Sequence, residues 1–208
     1  MNMRAMSTIL INLIGLCLFS THVVAQNIHK YNGSVEIPAK EEVRNITAYN
    51  GKVILGEQAK SGYITADNGR IRLKNGASSK SIEARNGHII LEKGVRVRGN
   101  VDSNNGNIEL GDAAVVSGNV GLDNGDLHLF HGTIGGNAEL NNGNITLDNA
   151  SLIEGDIIIG HGRRHERSEH MIRISADSVV KGNIILKQAV QLDIAKGAKV
   201  GKIINAYE

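Results

Sequence analysis

The stretch NGNIELGDAAVVSGNVGLD, residues 105–123, decides the fold, and Asn124-Gly125 immediately begins it again. Within it the apolar side chains fall in pairs two residues apart: Ile108 and Leu110, Ala114 and Val116, Val120 and Leu122. A spacing of two places both members on the same side of a strand. The pairs recur every six residues, so one unit holds three short strands separated by bends. Asn105-Gly106 supplies one bend and Gly118-Asn119 another, because Asn and Gly tolerate the positive-φ backbone that a sharp corner needs.

Outward from this unit, Asn-Gly pairs begin at Asn32, Asn50, Asn68, Asn86, Asn105, Asn124 and Asn142, in steps of 18, 18, 18, 19, 19 and 18. Asn75-Gly76 falls out of phase and marks a further corner. In the early units the third apolar pair starts one residue sooner, as Ile64 and Ala66 or Ile82 and Ala84, so a corner there has lost a residue. A fixed period is the signature of a stacked array. The expectation is an all-β protein: a single-stranded parallel β-helix (β-solenoid) of about nine coils of 18–19 residues. Coils would stack about 4.8 Å apart, joined by backbone hydrogen bonds, with corner asparagines forming side-chain ladders. Alternation rules against helix. Asn-Gly hairpins of a sandwich would not hold this register. Aliphatic-Gly steps every six residues, the mark of left-handed hexapeptide helices, are sparse, which favours a right-handed coil.

Composition agrees with a core of Ile, Leu, Val and Ala, since aromatics make up 3% of the chain and Trp is absent. The formal charge of +2 gives no bulk field for nucleic acid. Residues 1–25 carry Arg4, an apolar run from Ile9 to Phe19, and Val23-Val24-Ala25, and are expected to be a secretory signal peptide cut before Gln26. Residues 26–208 would be the solenoid domain, exported to the periplasm, the cell surface or the medium, with no transmembrane segment after cleavage. The one cysteine, Cys17, lies in the leader, so disulfides and thiolate chemistry are not expected beyond it.

The phrases Val97-Arg98-Gly99-Asn100-Val101, Val116-Ser117-Gly118-Asn119-Val120 and Val180-Lys181-Gly182-Asn183-Ile184 resemble the repeat of the polymer-forming bactofilins. The resemblance spans residues 32–204. It implies a right-handed β-helix whose coils stack end to end into filaments without nucleotide. That family is cytoplasmic, whereas this chain carries an export-type leader. The regular Asn-Gly corner is also similar to secreted bacterial adhesin-like solenoids.

The pattern breaks once, at a polar insertion over residues 160–171. Its candidate binding residues are His161, Arg163, Arg164, His165, Arg167 and His170. Histidines with Glu166 and Glu169 are metal-ligand types, but their spacing fits no fixed motif and three arginines oppose a cation. No metal site and no cofactor is assigned; the alternative to a self-associating structural or adhesive solenoid is a monomeric module that binds an anionic glycan, a lipid headgroup or a metal through this insertion, the arginines favouring the anions. Carboxylates such as Asp123 and Asp126 sit at corners, where Asp is a routine turn former. An enzyme is not expected, because no convergent set of catalytic groups is visible.

Candidate self-association residues are Glu41 and Glu42 in the first coil and Lys196, Lys199, Lys202 and Ile203 in the last. The first coil carries a net −1 and the last a net +3, counting Glu36, Glu41, Glu42, Lys40 and Arg44 against Lys187, Lys196, Lys199, Lys202 and Asp193. The expected partner is the protein itself or a cell-envelope component. A column of outward positions, Glu42, Lys60, Ser78, Arg96, Val115, Ile134 and Leu152, is a second possible contact surface, with Ile134 ambiguous in register.

Overall fold

The computed structural model describes residues 26–161 and 170–207. They form an all-β solenoid without helix, in which every strand pairs in parallel with its equivalent in the next coil. Three sheets run along the axis. The first has ten strands, from Ile28–Asn32 to Ile203–Asn205, and the second has nine, from Val35–Ile37 to Gln191–Ile194. The third holds six two-residue strands, from Ser78–Ser79 to Val179–Val180, and is extended at both ends by single bridges linking Glu42, Lys60 and Ser78, and Val179 and Lys199. The described residues thus make about nine complete coils.

The apolar pairs line the interior. Ile89, Ile108, Leu127, Ile145 and Ile172 stack as one column of the second sheet, each fully buried. Leu91, Leu110, Leu129, Leu147 and Ile174 form the column beside it. Each such side chain contributes roughly 1.5–3 kcal/mol through burial. Because the inner face of a single coil has no partner of its own, this stabilisation exists only in the stack. Serines replace aliphatics at a few inner positions. Ser151 is fully buried, donates from Oγ to the Asp148 carbonyl at 2.6 Å and accepts from the Gly132 N–H at 3.3 Å.

The first corner, from first to second sheet, is the Asn-Gly step. Its asparagines form a continuous side-chain ladder: each Nδ2 donates to the preceding Oδ1 from Asn142 down to Asn32, over 2.9–3.2 Å. The glycines beside them have φ between +134° and +148° at Gly51, Gly69, Gly106, Gly125 and Gly143. A second ladder follows one residue on, where Asn107, Asp126 and Asn144 each accept from the main chain of the next coil. At the third corner Asn100, Asn119, Asn137, Asp156 and Asn183 do the same. These ladders satisfy polar groups that a tight bend takes away from water. Gly76, with φ +68°, lies at the second corner, as its out-of-phase position requires.

One register expectation fails. Ile134 points inward and is fully buried, while Thr133 takes the outward place between Val115 and Leu152. The reason is a residue count. From Leu110 to Val116 is six residues, but from Leu129 to Ile134 is five, although both pairs hold equivalent positions in neighbouring coils. The 18-residue step from Asn124 to Asn142 therefore loses its residue at the second corner, where His131 adopts φ +54°, and not at the third. The outward column runs Ser78, Arg96, Val115, Thr133, Leu152, Val179.

Candidate functional site

The insertion leaves the first corner and returns in register. The step between coils is 27 residues from Gly143 to His170 and from Asn144 to Met171, against 18 from Asp126 to Asn144. His161 is exposed at the departing end. His170 is only 6% exposed at the returning end, where its Nδ1 accepts from the Gly143 N–H at 3.1 Å. Its ring replaces the main-chain carbonyl that Asn124 offers to Gly106, and Asn142 to Gly125, in other coils, so His170 acts here as a corner residue. Arg163, Arg164, His165 and Arg167 lie outside the described residues. Among the described residues no cluster of three or more His, Cys, Asp or Glu could hold a metal ion.

The two end coils differ from the interior in a specific way. Inner side chains are buried throughout the middle of the rod. In the last coil Leu192, Ile194, Ala198 and Val200 are only half-buried, and Ile203 is 45% exposed. Ile204, on the outer side of the same strand, is also exposed and continues a column through Ile158 and Ile185. Lys196, Lys199 and Lys202 are exposed around this surface. At the opposite end Val35 and Ile37 remain buried while Ile28 and Val43 are half-buried, with Glu41 and Glu42 exposed beside them. Tyr31 of that coil stacks on Tyr49 of the next, ring centroids 4.5 Å apart. No helix among the described residues is long and apolar enough to cross a membrane.

Electrostatics on the flanks are uneven. Around the second sheet, cations and anions are matched: Lys93 and His131 both bind Asp112 at 2.7 Å, and Arg173 binds Asp193 at 2.9 Å. Hydrogen bonds from Lys93 and then His131 hold the Asp112 carboxyl below its ordinary range. On the first sheet Asp102 sits next to Glu83 and, beyond Gly121, near Glu139. Partial burial, then repulsion from Glu83 and Glu139, pushes its carboxyl up.

A groove opens at the third corner of the first four coils. It is lined by Arg44, Lys60, Lys80, Arg96 and Arg98, with Glu42 as its one carboxylate and with Tyr63 on its wall. Sequence reading missed this as a site. The signal was present, since Lys60 and Arg96 stand in the outward column and Arg44, Lys80 and Arg98 are separated by multiples of 18.

No protein-family model, curated protein or solved structure matches the chain.

Proposed function

We propose that this protein is a non-enzymatic, exported structural solenoid that associates with itself end to end. The reading is carried by the last coil, whose inner side chains are half-buried where interior coils bury theirs completely. Among the described residues the coil also leaves a parallel strand edge, Ile203–Asn205, with a neighbour on one side only. Open edges and open apolar interiors are the surfaces that natural proteins cover. A second copy offers a matching cover, because its first coil presents the same parallel strand spacing and the opposite charge. Contact between unlike ends is heterologous and does not close, so it propagates into a filament. The bactofilin-like corner phrases and the leader at residues 1–25 support polymerisation and export respectively.

The test is sedimentation velocity on the chain from Gln26 over a range of concentrations at low and high salt, with negative-stain microscopy of the same samples. A Lys199→Glu, Lys202→Glu variant is run alongside. Species growing with concentration, rods lengthened along their axis, and a shift toward monomer in the variant are expected. Monomers at every concentration and salt would refute end-to-end association.

A further inference from the structure

We infer that the groove at the third corner of the first four coils is a binding site for an acidic polysaccharide, its anionic groups being carboxylate or sulfate. The site is distinct from the polar insertion and from both end surfaces, and the inference holds whether the rod is monomeric or polymeric.

Three observations carry it. First, five cations line one groove against a single carboxylate. Elsewhere Arg72, Arg85, Lys93, Arg173 and Lys181 each have a carboxylate partner within 4 Å, yet none of Arg44, Lys60, Lys80, Arg96 or Arg98 is in such a pair among the described residues. Cations repeated along a stack repel one another, so an anion passing between them gains from every one.

Second, the fold arranges the charges in two parallel rows. Glu42, Lys60, Ser78 and Arg96 occupy one register column of the third sheet. Arg44, Gly62, Lys80 and Arg98 follow two residues later in the same four coils, the Gly62 and Lys80 N–H groups donating to the Arg44 and Gly62 carbonyls. The rows run parallel to the axis, so a linear chain laid along the groove meets a cation in each coil, at steps of about 4.8 Å. Gly62 lets the two coils approach closely at the corner, since a Cβ there would fall 2.2 Å from the Arg44 carbonyl oxygen. Guanidinium groups at Arg44, Arg96 and Arg98 suit planar or tetrahedral oxyanions, which they bind bidentately.

Third, the aromatic content favours sugar over nucleic acid. Single-stranded nucleic acid is held by successive bases stacked on aromatic platforms. Tyr63 is the sole aromatic on the wall, and Lys80 Nζ already sits 5.2 Å from its ring centroid. Cations set in two adjacent rows along the axis also fit a linear chain better than a planar lipid surface.

The experiment is a titration of the protein from Gln26 with fluorescently labelled polygalacturonate and with dextran sulfate, at low and moderate salt. Neutral dextran, a single-stranded oligothymidylate and phosphatidylglycerol vesicles are the comparison probes. Two charge-matched variants are measured, Lys80→Glu with Arg98→Glu in the groove, and Lys52→Glu with Lys74→Glu at the other two corners of the same coils. Both variants change solvent-exposed side chains, and circular dichroism with a thermal melt verifies their folding. Polygalacturonate or dextran sulfate should bind the parent, and the groove variant should bind at least about tenfold more weakly, since charge-assisted hydrogen bonds contribute on that order each. The control variant should lose less than about twofold, because screening isolates distant charges. The inference is overturned if neither acidic polysaccharide binds, if both variants lose affinity equally, or if the oligonucleotide or the vesicles bind as tightly as the polysaccharides.

Discussion

Replacing Gly125 by Ala tests the inner logic of the corner, because the added methyl group meets two independent obstacles. Gly125 has φ +143°, a backbone conformation that side chains rarely adopt. A Cβ built there falls 2.4 Å from the Gly106 carbonyl oxygen and 2.7 Å from its carbonyl carbon. Those atoms cannot retreat, because the Gly106 and Gly125 N–H groups are tied into the next coils, to Asn124 and Asn142 carbonyls at 2.9 and 3.0 Å. A residue forced into a sparsely populated backbone region costs about 1–3 kcal/mol. Overpacking a rigid site costs about 1–3 kcal/mol more. The substitution should therefore destabilise by about 2–6 kcal/mol. Gly94 provides the matched control. Its φ of +66° is also positive, but a Cβ there has nothing within 4 Å. Gly94→Ala should cost only the left-handed conformation, about 1–2 kcal/mol. Gly94→Asn should cost less still, because Asn visits that region readily. Urea midpoints of the three variants and the parent give the comparison. If Gly125→Ala is no more destabilising than Gly94→Ala, close approach of successive coils is not what demands glycine at the first corner.

Ile145→Asp places an unpaired charge in a fully buried site and should cost several kcal/mol, seen as loss of the cooperative melt. Asn105→Ala removes two ladder bonds, to Asn86 at 2.9 Å and from Asn124 at 3.0 Å, and should lower stability by about 1–3 kcal/mol, read from urea midpoints. For the raised Asp102, the unfolded chain releases its proton first as pH rises, so ionisation progressively disfavours the folded state through the window above the ordinary aspartate range. Asp102→Asn should thus stabilise at pH 7 and have little effect at pH 3, whereas Asp112→Asn, at a lowered carboxyl whose contribution is lost on acidification, should destabilise at pH 7. Excising residues 161–169 and bridging with Gly should leave the β-sheet signal and melt intact, while excision that also takes His170 should lower the midpoint, since His170 caps the Gly143 N–H.

The inward columns were legible because aliphatic spacing of two, repeated in phase with Asn-Gly, leaves one solution for which face is inside. The ladder was legible for the same reason: identical amides one coil apart can hardly avoid each other. Ile134 was not, because an 18-residue step says that a residue is missing without saying which corner lost it. His170 was read as a ligand type since residues flanking a polar insertion carry no phase of their own, and only the returning register reveals that its ring accepts the glycine N–H that the Asn124 and Asn142 carbonyls accept in other coils. The groove cations were in plain view, but a column that begins with charges and continues into Val115 and Leu152 invites attention to its apolar half.

The length of a corner decides more than register. Three residues separate the last inner position of the third sheet from the first inner position of the first sheet at Val43 to Ile46, Ser61 to Ile64 and Ser79 to Ile82. From Val97 to Val101 onward through Val180 to Ile184 the count is four, and the extra residue admits Gly-Asn. With that residue, an asparagine or aspartate oxygen turns back onto the main chain of the next coil, and the corner becomes a self-satisfied ladder from Asn100 to Asn183. Without it, there is no Gly-Asn pair to fill the bend: Asn45 alone reaches the next coil, accepting from the Tyr63 N–H at 3.0 Å, and Arg44 and Lys80 line the groove in the coils on either side of Gly62. A single-residue difference, visible in the sequence as a change of step from 18 to 19 at Asn86, thus marks where the continuous third-corner ladder begins; of the groove cations, Arg44, Lys60 and Lys80 precede it, and Arg96 and Arg98 belong to the first coil that carries it. Inserting Asn between Gly62 and Tyr63 would lengthen one three-residue corner to the Gly-Asn type, and the physical expectation is local: a new amide bond to the adjoining coil, with the cations at Arg44, Lys80 and Arg98 left in place because that coil already holds Gly62 in their row.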